Sequence, residues 1–201
     1  MMRAESGLLE RRAVVRALLA DRGDLLVVAG LGAPAWDITA AGDGPANFPL
    51  WGGMGGAAML GLGLALAQPA RRVLVVTGDG EMLMGLGALA TIAAQRPANL
   101  GIVVLDNERY GETGGQLTAT AAGIDLAAMA RGAGIADARM VTDAAGLAAL
   151  HGAIGALAGP LFAVVKVDPA NLPLVLPPRE GAFLTARFRE ALLGPAAHHQ
   201  V

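Results

Sequence analysis

The chain has 201 residues and a formal net charge of −2, with 54% hydrophobic and 16% charged residues. This balance excludes a disordered polymer, and the length suits one domain with a sizeable core. Cysteine is absent, which excludes disulfides, Cys-ligated zinc, iron–sulfur clusters and a thiol nucleophile. Arginines are scattered, Lys166 is the single lysine, and no basic stripe marks a nucleic-acid partner.

The predicted elements alternate along the chain. Leu8, Leu9, Val14, Val15, Leu18 and Leu19 recur at helical spacing among charged residues, so an amphipathic helix is expected over 8–21. Short Val-rich runs at Leu25–Ala29, Val73–Thr77, Ile102–Leu105 and Leu161–Val167 read as strands buried on both faces. Between and after them, helices are expected at Met54–Ala67, Met82–Gln95, Leu126–Arg131, Ala144–Leu157 and Glu180–Leu193. The alternation implies parallel βαβ units: an α/β fold with a doubly wound, mostly parallel sheet and helices on both faces. Residues 1–194 are expected to form a single domain and 195–201 a flexible, frayed tail. The Pro-rich segment Pro169–Pro178 should be extended and join the last strand to the final helix.

The stretch Gly44–Ala70 carries no charge, but three prolines and seven glycines interrupt it. It reads as a buried Gly/Ala-rich helix rather than a membrane span. With no apolar leader at the N-terminus, which carries Glu5, Glu10 and several arginines, a cytoplasmic protein without membrane contact is expected.

In an open α/β sheet, ligands bind at the carboxyl ends of the strands. Thr77-Gly78-Asp79-Gly80-Glu81 follows one predicted strand and precedes a helix. Glycines there admit a close-lying ligand, and free N–H groups at a helix start suit a phosphate. Asp79 would repel that phosphate unless a cation lay between them. Asp106-Asn107-Glu108-Arg109-Tyr110-Gly111 ends another predicted strand. If the two strands are neighbours, Asp79 and Asn107 converge as hard oxygen donors of the kind Mg²⁺ prefers. Taken alone, Asp-Gly is a common turn and Asn107 could be a cap.

Gly78-Asp79-Gly80, then 25 residues, then Asp106-Asn107 resembles the thiamine-diphosphate binding motif, in which a GDG is followed by a double Asn. Position 106 is Asp where that pattern often has Asn. The resemblance implies Mg²⁺ held by Asp79, Asn107 and the carbonyl of Arg109, beside a cofactor-binding set of Gly78, Gly80, Glu81, Tyr110, Gly111 and Glu112. Upstream, Trp51-Gly52-Gly53-Met54-Gly55-Gly56-Ala57 looks like the family segment beneath the cofactor. There Met54 matches the apolar wedge between the two cofactor rings, and the Gly52 carbonyl matches the acceptor for the 4′-amino group. An ordinary core methionine is the alternative for Met54. Downstream, Tyr110-Gly111-Glu112-Thr113-Gly114-Gly115-Gln116 resembles the Gly-rich loop of sulfopyruvate and phosphonopyruvate decarboxylases, with Glu112 where Ser is usual. Thr113 and Gln116 become candidates for substrate contact. A carboxylate at 112 would disfavour a strongly anionic substrate, unless it points to solvent. His151, on a predicted helix away from the strand ends, is expected to be structural or exposed.

The resemblance further implies a half-enzyme. It covers the pyrophosphate module, whereas the pyrimidine module supplies the glutamate that activates the cofactor. The expected activity is decarboxylation of a small 2-oxo acid, with a separate pyrimidine-domain (α-type) subunit in an α₂β₂-like assembly. Self-association of the isolated chain through its exposed cofactor face is also expected. The alternatives are half of an acetolactate-synthase-like carboligase or lyase, and a non-catalytic assembly or regulatory partner.

Overall fold

The computed structural model describes residues 7–199; the N-terminal segment with Glu5 and the last two residues of the tail lie outside them. The strands are β1 (Leu26–Ala29), β2 (Asn47–Pro49), β3 (Val73–Gly78), β4 (Leu100–Asp106), β5 (Arg109–Tyr110), β6 (Gln116–Leu117), β7 (Asp137–Val141) and β8 (Leu161–Lys166). The helices are α1 (Arg11–Leu18), α2 (Ala33–Gly42), α3 (Ala57–Ala67), α4 (Asp79–Met84), α5 (Ala88–Gln95), α6 (Leu126–Ala133), α7 (Ala144–Gly155) and α8 (Gly181–Leu193).

Six strands form one parallel sheet in the order β2-β1-β3-β4-β8-β7, while β5 and β6 pair as a small antiparallel ribbon. Alternate strand residues feed two cores. Val28, Val75, Ile102 and Val164 face α3, α5, α6 and α8; Val27, Val76, Val103 and Val165 face α1, α2 and α7. Both faces are therefore dry, which is why these strands read as continuous apolar runs. From β1 the chain runs first to β2 on one side and then to β3 on the other, so the order reverses beside β1. That switch point is where such sheets bind ligands.

Several expectations shift. The first helix begins only at Arg11, because the Glu10 carboxylate accepts the N–H groups of Arg12 and Ala13 at 2.9 and 2.7 Å and caps it. Helix α2 and strands β2 and β7 were not foreseen. Ala33-Pro34, with proline in the first turn, was the available start signal for α2. Strand β7 is a charged edge strand, half-exposed, with Arg139 paired to Asp137 at 2.6 Å. The helix expected at Met54–Ala67 begins only at Ala57. The one expected at Met82–Gln95 is two helices, α4 and α5. A Cβ on Gly85, between them, would stand 2.1 Å from the Gly55 carbonyl oxygen, so the two backbones meet where only glycine fits. Within the expected tail, Gly194–His198 forms a 3-10 turn, and Arg189 donates to the Ala197 carbonyl at 3.3 Å. No helix among the described residues is long and apolar enough to cross a membrane, and Ala57–Ala67 packs in the core.

Candidate functional site

A cleft of about 480 Å³ opens at the carboxyl ends of β1, β3 and β4. Met54, Gly78, Asp79, Gly80, Glu81, Asn107, Arg109, Tyr110, Gly111, Glu112 and Thr113 all line it, so eleven residues singled out from three separate segments converge. Gly52 and Gly53 do not line it; they sit in the exposed turn that leads to Met54. Met54 is 45% exposed, which removes the core-methionine alternative.

The register explains the convergence. Strands β3 and β4 pair in parallel through Gly78↔Leu105, which brings Asp79 and Asn107 to the same end of the sheet. Asp79 is 1% exposed. Its Oδ2 accepts the Thr118 and Thr120 hydroxyls at 2.5 and 3.0 Å. Burial pushes its carboxyl above the ordinary value; the Thr118 hydrogen bond opposes this, the Asp106 charge adds to it and Thr120 opposes it again. No cation pairs with it among the described residues. The neighbouring Asp106 differs: its Oδ2 accepts Lys166 Nζ at 2.9 Å, and Lys166 also reaches Glu108. Asn107 closes an Asx turn, its Oδ1 accepting Arg109 N–H at 3.1 Å. The Tyr110 ring lies across Gly80, where a Cβ would stand 2.4 Å from Cε1.

Glu81 turns away toward the loop after β1. Its Oε2 accepts Thr77 Oγ1 at 2.7 Å and Leu31 N–H at 3.1 Å, and Oε1 has no hydrogen-bond partner. Burial raises its pKa, opposed by Thr77 and by the Ala57, Leu31 and Gly55 backbone. Glu112 is exposed to solvent and also lines the cleft. It lies against Gly32 at the start of α2, and burial raises its pKa while the Arg11 charge opposes the rise. The Thr113 hydroxyl is engaged with Gln116, 3.0 Å away; Gln116 lies outside the cleft. His151 bonds the Ala20 carbonyl oxygen at 2.9 Å, away from the cleft.

Sequence reasoning missed Arg11, Thr118, Thr120, and the Asn171, Leu172 and Leu174 wall from the Pro-rich segment. Arg11 is buried and donates to the fully buried Asp37 at 2.5 Å. An arginine on an amphipathic helix carries no local mark of such a contact.

The donor set at the strand ends is one carboxylate, one amide and the nearby Arg109 backbone, a hard-oxygen mixture that fits Mg²⁺. No group of three or more His, Asp or Glu side chains among the described residues could hold a metal. The cleft with these donors lies at the switch point of a doubly wound sheet, where α/β domains of this class bind their ligands.

Comparison with known proteins names the cofactor. Residues 40–167 match the family described as thiamine pyrophosphate enzyme, C-terminal TPP binding domain. The chain is 40% identical over 187 residues to the sulfopyruvate decarboxylase subunit beta of Methanothermobacter thermautotrophicus, covering 93% of this chain and 97% of that one. It is 37% identical to the phosphonopyruvate decarboxylase of Streptomyces viridochromogenes, covering 93% of this chain but 47% of that one. A solved structure from Mycobacterium smegmatis, assigned as a thiamin diphosphate-dependent enzyme, aligns with a TM-score of 0.69 and 27% identity over 81% of this chain and 32% of that one. The chain belongs to the thiamine pyrophosphate enzyme family, and it spans about half the length of the phosphonopyruvate decarboxylase it matches.

Proposed function

We propose that this chain is the thiamine-diphosphate- and Mg²⁺-binding subunit of a split 2-oxo acid decarboxylase of the sulfopyruvate and phosphonopyruvate type. A separate pyrimidine-domain subunit completes it in an α₂β₂-like assembly. The observation that carries this reading is Asp79, a buried carboxylate without a cation, facing the cleft beside Asn107. The 97% coverage of a beta subunit against 47% of a single-chain decarboxylase supports the split. The absence of cysteine fits a reducing, cytoplasmic setting.

Thiamine diphosphate, when bound, supplies an electron sink for loss of CO₂ from a 2-oxo acid. This chain's part is binding and orientation. Asp79, Asn107 and the Arg109 carbonyl would hold Mg²⁺, whose charge would offset that of the diphosphate. Gly78, Gly80 and Gly111 let that group lie close to the backbone, and Tyr110 braces Gly80. Met54 lines the cleft from the turn Gly52–Gly55 and would bear on the two cofactor rings there. Thr113 and Glu112 bound the substrate end.

The test is co-purification of the tagged chain with its partner, followed by Mg²⁺-dependent cofactor binding and CO₂ release from 3-substituted pyruvates. Asp79→Ala is expected to abolish binding and turnover together. Turnover that survives the substitution, or a partnered wild type that binds no cofactor, overturns the reading.

A further inference from the structure

The Asp79 carboxylate is held by a pair of threonines from a distant part of the chain. Thr118 and Thr120 lie 39 and 41 residues beyond it, and each is 4% exposed. Thr118 precedes the 3-10 turn Ala119–Ala122 that carries Thr120, and its own N–H donates to the Glu108 carbonyl at 3.1 Å. The hydroxyls are 2.9 Å apart. Both contact Oδ2 of Asp79, and Thr120 also reaches Oδ1 of Asp106 at 2.8 Å. Each hydroxyl has one proton, so Thr118 donates to Asp79 at 2.5 Å while the Thr120 proton is shared between Asp79 and Asp106, whose oxygens lie 3.0 and 2.8 Å from it, and bridges the two carboxylates. Asp106 is neutralised by Lys166, so the bridge ties Asp79 to a fixed ion pair at the ends of β4 and β8.

From this arrangement we infer that Thr118 and Thr120 are positioning residues for the metal carboxylate. Both hydroxyls contact Oδ2, which holds the carboxylate in one rotamer before the cation arrives. Groups behind a metal ligand commonly carry a tenfold to hundredfold share of metal affinity. The clamp also explains why a buried carboxylate without a counter-charge is tolerated: charge-assisted hydrogen bonds from two hydroxyls offset part of its desolvation. The inference rests on Asp79 binding the cation, as proposed above.

The experiment uses the chain co-purified with its partner subunit and Mn²⁺ as a paramagnetic probe, titrated by EPR with thiamine diphosphate present. Thr118→Val is expected to weaken Mn²⁺ binding by about 10–100-fold and, because it leaves the buried Asp79 carboxylate one donor short, to lower the melting temperature of the metal-free complex modestly. Thr118→Ser, which keeps the hydroxyl, is expected to restore binding. Thr39→Val, which removes a hydroxyl bonded only within its own helix, serves as a control expected to bind as wild type does. Wild-type affinity in Thr118→Val overturns the clamp. So does a loss that Thr118→Ser fails to restore and that tracks a lowered melting temperature. If the wild-type complex itself binds no Mn²⁺, the metal reading of Asp79 fails first, which separates the two failures.

Discussion

Asp37 and Asp79 are both buried aspartates, and they differ in what meets the charge. Asp37, on α2, is fully buried and accepts Arg11 Nε at 2.5 Å and Arg12 Nε at 3.0 Å, which ties α1 to α2. Asp79, at the end of β3, meets two neutral hydroxyls. The first arrangement is complete within the chain. The second gathers oxygen atoms around a negative charge and leaves the counter-charge to be supplied from outside. A buried charge is expensive unless paired. The difference therefore separates a carboxylate paired within the fold from one that meets no cation among the described residues, which is the basis of its proposed ligand role.

The widest gap should appear on neutralising each in turn. Asp37→Asn removes the shared negative charge and turns one of the two accepting oxygens into a donor facing a guanidinium, and is expected to cost about 3–5 kcal/mol by chemical denaturation. Asp79→Asn removes an unpaired charge, so the metal-free chain should be as stable as wild type or more so, while metal-dependent cofactor binding weakens by more than about 100-fold. Equal destabilisation by both would make Asp79 a structural residue. Met54→Ala comes next: turnover should fall by about 100-fold, with cofactor affinity changed much less, because the wedge acts on geometry. Equal losses in kcat and affinity would reduce Met54 to packing.

Glu112 is a third kind of carboxylate, half in the cleft and faced by Arg11. Replacing it with Ser should raise kcat/KM for pyruvates with an anionic 3-substituent by about tenfold relative to neutral ones, since a like charge is removed from the wall. Glu112→Gln should do the same if charge rather than size is responsible. A separate effect, on stability rather than on the site, concerns Asp106, whose cation is internal. Burial lowers the pKa of Lys166, but its hydrogen bonds to Glu108 and Asp106 outweigh this and leave it raised from 10.5. A lysine with a raised folded pKa stabilises below its unfolded value and loses that contribution as pH climbs through the folded one. Lys166→Met should therefore cost about 1.5–3 kcal/mol at neutral pH, and the gap to wild type should close only above pH 10.5.

The four inner strands β1, β3, β4 and β8 were legible because both of their faces are dry and their residues form unbroken apolar runs. Strand β7 was not, since an edge strand keeps charges such as Asp137 and Arg139. Helix α2 carried too little amphipathic pattern: its buried and exposed residues are mostly small, and only Pro34 marks its start. The break at Gly85 was invisible because its cause is the passage of Gly55, far away in sequence. At the site, Gly78-Asp79-Gly80 and Asp106-Asn107 were readable as spacing, since two parallel neighbours necessarily bring their ends together.

The amino-acid sequence by itself determined the class of fold, the two strand ends that matter and the oxygen donors on them, because these follow from local periodicity and from short motifs. Only the tertiary structure decided which carboxylate goes unpaired. Asp37, Asp79 and Asp106 look alike along the chain. Their partners Arg11, Thr118 and Lys166 come from other segments, and whether a buried charge is neutralised, hydrogen-bonded or left for a ligand depends on contacts that form only when those segments pack.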